Sequence, residues 1–336
     1  MNRIPMARAA HLIHFIETLE DTGAPVEQAL RRANLPVFIR EMPNAYVSNI
    51  ALSNFTRRCS RSAGIENLGW LSLKKFDSSL LSKHLASSIS GAPTLACRLK
   101  AFFELVAKEN SDNRSGMHHF GGQTLIWIDV PGKRMAKPHS DSSWLHIGAL
   151  IWIVRSVLGQ SWVPNRITFQ QKFDLCDESL DEYGNTRFNF EEPHTSFVLP
   201  TKYLAKRTNG KIRNLDVPGA TGSESKGQGF ASDLRNLMEP YLASGCPPIG
   251  LAAEIAGMSI RTLQRRLNNV GVSYSDLIEA ARFEVASDML RDANIKIVDI
   301  AMCVGYEDSS NFARAFRRVS GISPTQFRVE AQNGQL

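Results

Sequence analysis

The stretch DIAMCVGYEDSSNFARAFRRVSGISPTQFR, residues 299–328, is the part of this chain whose reading decides the rest. It breaks into a short segment of small and apolar residues, a Gly305-Tyr306 turn, and a second helix opened by Asp308. A carboxylate there suits an N-cap, because it can accept a backbone N–H from the first turn. Phe312, Ala315, Phe316 and Val319 fall at helical spacing and predict the buried face. Asn311, Arg314 and Arg318 recur on another face, with Ser310 and Arg317 beside it. From Ser309 to Ser320 there are three arginines and no acid. A short helix, a glycine turn and a basic second helix form the helix-turn-helix pattern, whose second helix can lie in the DNA major groove.

The pattern occurs twice. Ala253-Glu-Ile-Ala-Gly257-Met258 runs parallel to Ala301-Met-Cys-Val-Gly305-Tyr306, 48 residues later. After Gly257 comes SIRTLQRRLNNVG, where Ile260, Leu263, Leu267 and Val270 predict an apolar stripe and Arg261, Gln264, Arg265 and Asn268 point away from it. Leu263 lies six residues after its glycine and Phe312 seven after its own, so the second turn is one residue longer. A repeat of this kind marks the unit that carries function.

These residues resemble the AraC/XylS family of transcription regulators. The stretches that carry the resemblance are GMSIRTLQRRL, the Arg282…Ala286…Leu290 helix, DIAMCVGYEDSSNFARAF and GISPTQFR. The resemblance covers residues 235–330 and implies two helix-turn-helix units joined by a long helix. It also places Arg282 at the family's linker-helix arginine, a position where a structural ion pair is the competing reading.

Composition sets outer limits. A chain of 336 residues suggests two domains, and 43% hydrophobic content suits a proper core. The longest apolar run, Ile147 to Val154, is too short to span a bilayer. Five widely spaced cysteines (Cys59, Cys97, Cys176, Cys246, Cys303) form no CxxC pair, which points to a reduced, cytoplasmic protein with packed thiols, and DNA binding would make it nucleoid-associated. The net charge of +6 is carried by the wrong half for a simple polycation. From Phe230 onward there are eleven basic and twelve acidic residues, whereas the first 229 carry 28 basic and 21 acidic. The argument for nucleic acid rests on local patterning in the two basic helices.

Helical periodicity covers Ala7–Leu19, Val26–Ala33, Ser48–Ser62 and Leu95–Lys108, the last with Leu99, Phe102, Phe103 and Val106 inward. Gly121-Gly122 opens the first clear strand, Thr124–Val130. A long buried helix is expected over Asp141–Leu158, then a strand from Arg166. Arg187–Phe190 and Ser196–Leu199 are expected to pair as a hairpin. The expected fold is an α+β domain over residues 1–204, a flexible linker over 205–229, rich in Gly, Ser and charge, and an all-α domain with two helix-turn-helix units over 230–336. GAPTLACRLKAFFELV and LGQSWVPNRITF resemble the arabinose-binding-like sensory region of one branch of the same family. That likeness implies an effector-sensing or dimerisation domain but transfers no ligand-contacting residue.

The candidate DNA-contacting residues are Arg261, Thr262, Gln264, Arg265 and Arg266 in the first unit, and Ser309, Ser310, Asn311, Arg314, Arg317 and Arg318 in the second. Arginine can chelate guanine O6/N7 and glutamine can pair adenine. The short Ser-Ser-Asn start suits phosphates, and Arg266, Arg317 and Arg318 suit the backbone or solubility. His11, His14, His118 and His119 lack a third convergent ligand, so no metal site is expected; with no G-x-S-x-G, Gly-rich phosphate loop or paired-carboxylate motif, no cofactor and no catalytic residue is expected either. Trp127, Trp144, Trp152 and Trp162 are candidates for core or pocket. The resulting expectation is a ligand-responsive activator of transcription. Its partners would be double-stranded DNA, RNA polymerase, a small-molecule effector and a second copy of the chain, with no membrane. Two rivals are an enzyme fused to a DNA-targeting module, for which Cys59, Cys97 and Cys176 lack the sequence context of a nucleophile, and an architectural DNA-binding protein without effector.

Overall fold

The computed structural model describes residues 3–76, 81–129, 140–208 and 229–334. The strands are β1 (Met6–Arg8), β2 (Tyr46–Ser48), β3 (Arg114–Phe120), β4 (Gln123–Asp129), β5 (Arg166–Thr168), β6 (Arg187–Asn189) and β7 (Thr195–Pro200). The helices of the first two-thirds are α1 (Ala9–Glu20), α2 (Val26–Arg32), α3 (Asn49–Ala63), α4 (Leu68–Lys74), α5 (Lys83–Gly91), α6 (Leu95–Glu109), α7 (Ser140–Leu158) and α8 (Asp177–Tyr183). The last third holds α9 (Phe230–Met238), α10 (Ile249–Ile255), α11 (Ile260–Asn268), α12 (Tyr274–Leu290), α13 (Ile297–Cys303), α14 (Ser309–Ser320) and α15 (Pro324–Gln332). Among the described residues no helix is long and apolar enough to cross a membrane.

The described residues form two compact units that interleave along the sequence. One takes residues 7–33 and 51–208; the other takes 3–6, 34–50 and 229–334. Of the expected linker over 205–229, residues 209–228 lie outside the described residues.

The first unit is α+β. Its five-stranded sheet runs β3-β4-β7-β5-β6, antiparallel except for the parallel β5–β6 pair. Gly121 and Gly122 turn the β3–β4 hairpin with φ of +50° and +76°, the positive values a two-residue hairpin turn requires. On β4, Thr124, Ile126 and Ile128 face inward, packing with Ile167, Phe197 and Leu199. β3 escapes sequence reading because its side chains are exposed or half-exposed and carry no apolar alternation. The expected hairpin between residues 187–190 and 196–199 does not form. β7 gives one edge to β4 and the other to β5, where Ile167 pairs with Phe197, so β6 is left the far edge of β5. The inward side of α6 holds Leu99, Phe102 and Val106, while Phe103 is only half-buried. Trp144 on α7 is core, with ring centroids 5.0 Å from Trp70, 5.1 Å from Phe169 and 6.0 Å from Tyr183. Trp152 and Trp162 pack partly buried against the same cluster.

The second unit is helical around two apolar clusters, and α12 runs from one to the other. Leu277, Ile278 and Ala281 belong to the cluster around α9, α10 and α11; Ala286 and Leu290 belong to that of α13, α14 and α15. Ser273 and Asp276 close a capping box at the start of α12. Ile4 and Met6 are buried in the first cluster beside Phe230 and Leu234. The Asp233 carboxylate, 1% exposed, accepts two hydrogen bonds from Arg3 at 2.9 and 3.3 Å and one from the Ile4 amide at 3.1 Å. A buried carboxylate needs such partners to offset lost hydration.

Glu239, in the 3-10 turn Glu239–Ser244, has its carboxyl pushed up to about 6 by burial and by the Glu284 and Asp288 carboxylates, with Arg235 opposing. A carboxyl whose folded pKa exceeds its unfolded value costs stability when ionised and recovers it as pH falls through the folded pKa. Glu239→Gln is therefore expected to stabilise this unit above pH ~6, with the advantage shrinking as pH falls toward ~4.5. Urea unfolding of both proteins across that window measures it; a constant difference would contradict the assignment.

Candidate nucleic-acid interface

Two glycines set the geometry. Gly257 follows α10 with φ of +66°, and Gly305 follows α13 with φ of +80°. Each ends its helix in the same way. Gly257 donates to Glu254 O and Met258 to Ala253 O, both at 2.9 Å; Gly305 donates to Met302 O and Tyr306 to Ala301 O, both at 2.9 Å. This paired closure is the Schellman motif, which calls for a left-handed residue at the position just beyond the helix. The next helix then opens on a side-chain cap. Ser259, two residues after Gly257, accepts from the Thr262 amide at 3.2 Å. Asp308, three residues after Gly305, accepts from Ser310 and Asn311 amides at 2.9 and 2.7 Å.

Below each glycine lies a tight contact. A Cβ on Gly257 would fall 2.2 Å from the Ile50 Cδ1, and one on Gly305 would fall 2.2 Å from the Leu242 carbonyl oxygen.

Each second helix buries two side chains. Leu263 and Leu267 anchor α11, and Phe312 and Phe316 anchor α14. The expected stripes are shorter than their periodicity implied. Ile260, Val270 and Val319 are 46%, 37% and 44% exposed, because they sit at helix ends beyond the reach of the clusters. Arg261, Gln264 and Arg265 stand exposed on α11, and among the described residues their side chains carry no hydrogen bond or ion pair. Thr262 is half-buried with its hydroxyl 3.0 Å from that of Ser259, so it belongs to the cap. Arg266 is also half-buried, its guanidinium 5.2 Å over the Phe230 ring.

On α14, Ser309, Ser310, Asn311, Arg314, Arg317 and Arg318 are all exposed. Here the polar groups are linked to one another. Asn311 donates to Asp308, Arg314 donates to Asn311 Oδ1 at 2.5 Å, and Arg318 pairs with Glu279 of α12. Asn311, Arg314 and Arg318 flank an open groove of about 620 Å³ whose other wall is Gly305, Tyr306 and Glu307. Sequence reading missed Tyr306 and Glu307, since neither lies on the basic helix. Arg282 makes no ion pair among the described residues; its guanidinium lies 4.7 Å over the Tyr306 ring and holds the second turn to α12. The assembled surface presents arginine forks, amides and helix N-termini to a polyanion.

Of the histidines, His14 Nε2 lies 2.5 Å from Ser72 O and His119 Nδ1 2.8 Å from the Thr124 hydroxyl. Cys59 is buried in α3 and Cys97 is half-buried in α6.

A family profile described as a helix-turn-helix domain matches residues 252–330. The ornithine utilization regulator of Pseudomonas aeruginosa is 34% identical over 145 residues, 41% of this chain and 42% of that regulator, less than half its length. The HTH-type transcriptional regulator VirS of Mycobacterium tuberculosis is 38% identical over 342 residues and covers 96% of both chains. Among solved structures, the transcriptional regulator CdpR from Pseudomonas aeruginosa matches with a TM-score of 0.38 and 20% identity, covering 91% of this chain and 96% of that one.

The two turn glycines predict unequal mutants. Left-handed φ costs a residue with a Cβ about 1–2 kcal/mol, and overpacking adds about 1–3 kcal/mol where the neighbour cannot move. Gly305→Ala strikes a backbone carbonyl, whereas Gly257→Ala strikes the tip of a side chain. Chemical denaturation should find Gly305→Ala the more destabilising; the reverse order would refute this account of the turns.

Proposed function

The chain belongs to the AraC/XylS family of helix-turn-helix transcription regulators, and on that premise we propose that it is a ligand-responsive activator reading two adjacent major-groove segments of double-stranded DNA. It is a regulator rather than an enzyme, as its full-length relative is described. The observation that carries the two-site reading is the repeated glycine closure, each followed by a capped helix with an outward basic and amide face. One chain thereby offers α11 and α14 to half-sites about one helical turn, ~34 Å, apart. Arg261, Gln264 and Arg265 are the base readers of the first half-site. Asn311 and Arg314 serve the second, with Ser309, Ser310, Arg317 and Arg318 on phosphates and Thr262 and Arg266 supporting α11 from within.

The sensing and dimerising roles fall to the α+β unit of residues 7–33 and 51–208, and the DNA-reading role to the unit of residues 3–6, 34–50 and 229–334. An effector would act by favouring one of two states in DNA or RNA-polymerase contact. Action on DNA and polymerase places the protein in the cytoplasm with the nucleoid.

Arg265→Ala should cost about 1–3 kcal/mol and relax preference at one base pair, and Arg314→Ala should do the same in the other half-site. Arg318→Ala should weaken all sequences alike and reduce the salt slope by about one. Binding to a library of duplex variants at several salt concentrations reads all three. Silence of both Arg265→Ala and Arg314→Ala would end the two-groove reading.

A further inference from the structure

We propose that Ile50 is a positioning residue for the first reading helix, so that a side chain far from the helix-turn-helix sequence sets how α11 meets DNA. This rests on the reading of α11 as a DNA-contacting helix. Ile50 and Gly257 belong to the same compact unit, and the Ile50 Cδ1 occupies the space a Cβ on Gly257 would need. Gly257 is the residue whose left-handed φ redirects the chain from α10 into the Ser259 cap and α11. Pressure on that glycine is therefore pressure on the angle at which Arg261, Gln264 and Arg265 are presented.

The second helix pair is built differently. Its turn glycine rests against the Leu242 carbonyl and the Arg282 guanidinium, both supplied by the C-terminal stretch itself. Among the described residues its apolar cluster contains none before Phe283, whereas the first cluster takes in Ile4, Met6 and Tyr46. Segment 34–50 is held to this unit by more than Ile50: Tyr241 donates its hydroxyl to Asn34 O at 2.6 Å, and the Asn49 amide donates to Pro5 O at 3.1 Å. Rotating or withdrawing Ile50 would thus reorient one reading helix and leave the other in place. The two helices of the repeat are alike in sequence pattern and unlike in what supports them.

The test uses the full-length chain with Ile50→Ala, and Ile50→Leu as the conservative control. Amide hydrogen exchange is followed in Ile249–Asn268 and in Ile297–Ser320. Binding is measured to a duplex selected by the wild-type chain from a random library, with each half-site scrambled in turn. In Ile50→Ala, exchange in the first helix pair should rise by about tenfold or more while the second stays unchanged. Affinity should fall for the half-site that depends on Arg265 and persist for the one that depends on Arg314. Ile50→Leu, which keeps δ carbons and the side-chain volume, should retain most of both. Equal changes in the two helix pairs, no change in either, or a leucine variant that behaves like alanine would overturn the proposal. Exchange needs no DNA, so failure to select any duplex would sink the DNA reading while the fate of Ile50 was still decided.

Discussion

Left-handed backbone at two glycines is the constraint from which the C-terminal unit follows. An ordinary residue would pay at φ of +66° or +80°, and would also collide with what lies beneath the turn. The absence of a Cβ allows the Schellman closure, which satisfies carbonyls at the end of α10 and α13 and fixes where the chain leaves. The cap that follows then has only two or three residues in which to form, and Ser259 and Asp308 supply it. Two buried side chains on each second helix, one turn apart, leave the opposite face exposed. The face proposed to read DNA is thus the remainder after turn, cap and anchor have been satisfied.

Much of this was legible in the sequence because each part is local. The glycines, the Asp308 cap and the Leu263/Leu267 and Phe312/Phe316 anchors each declare themselves within a few residues, whereas the long helix α12 is implied by the family resemblance. What was not legible depends on residues distant along the chain. Nothing near Gly257 announces Ile50, and nothing near Asp233 announces Arg3. The periodic apolar residues Ile260, Val270 and Val319 were assigned inward by spacing alone, and spacing cannot say where a cluster ends. In the sheet, β3 was invisible because an edge strand with exposed residues has no alternation to read. The pairing of β6 was misread because the choice between neighbours is made by β7, which can give only two edges.

The same distinction applies to the polar residues of the interface. Arg265 and Arg314 look equivalent in sequence, each on the outward face of a basic second helix. Among the described residues, the side chains of Arg261 and Arg265 on α11 have no hydrogen-bond or ion-pair partner, while Arg314 is tied to Asn311 and Arg318 to Glu279. Exposed pairs of this kind are worth only about 0–1 kcal/mol, so they do not prevent binding. They do mean that a phosphate or base at α14 replaces an existing partner, whereas at α11 it replaces water.

That exchange also explains how a stretch with eleven basic and twelve acidic residues can face DNA in the proposed reading. Asp308 spends its charge on the first turn of α14 and on Asn311, Asp276 on the capping box, and Asp233 on Arg3 and the Ile4 amide. Glu284 is engaged with Arg235, and Glu279 with Arg318. Over distances beyond about 8–10 Å, salt screens exposed charges from one another, so an acid held away from the reading face contributes little to the field a phosphate meets there. A sum over the sequence weights all of these acids equally with Arg261 and Arg265; the fold does not. These acids serve turns, caps and ion pairs within the unit, Glu307 lies at the α14 groove, and the side chains of Arg261 and Arg265 stand exposed on α11.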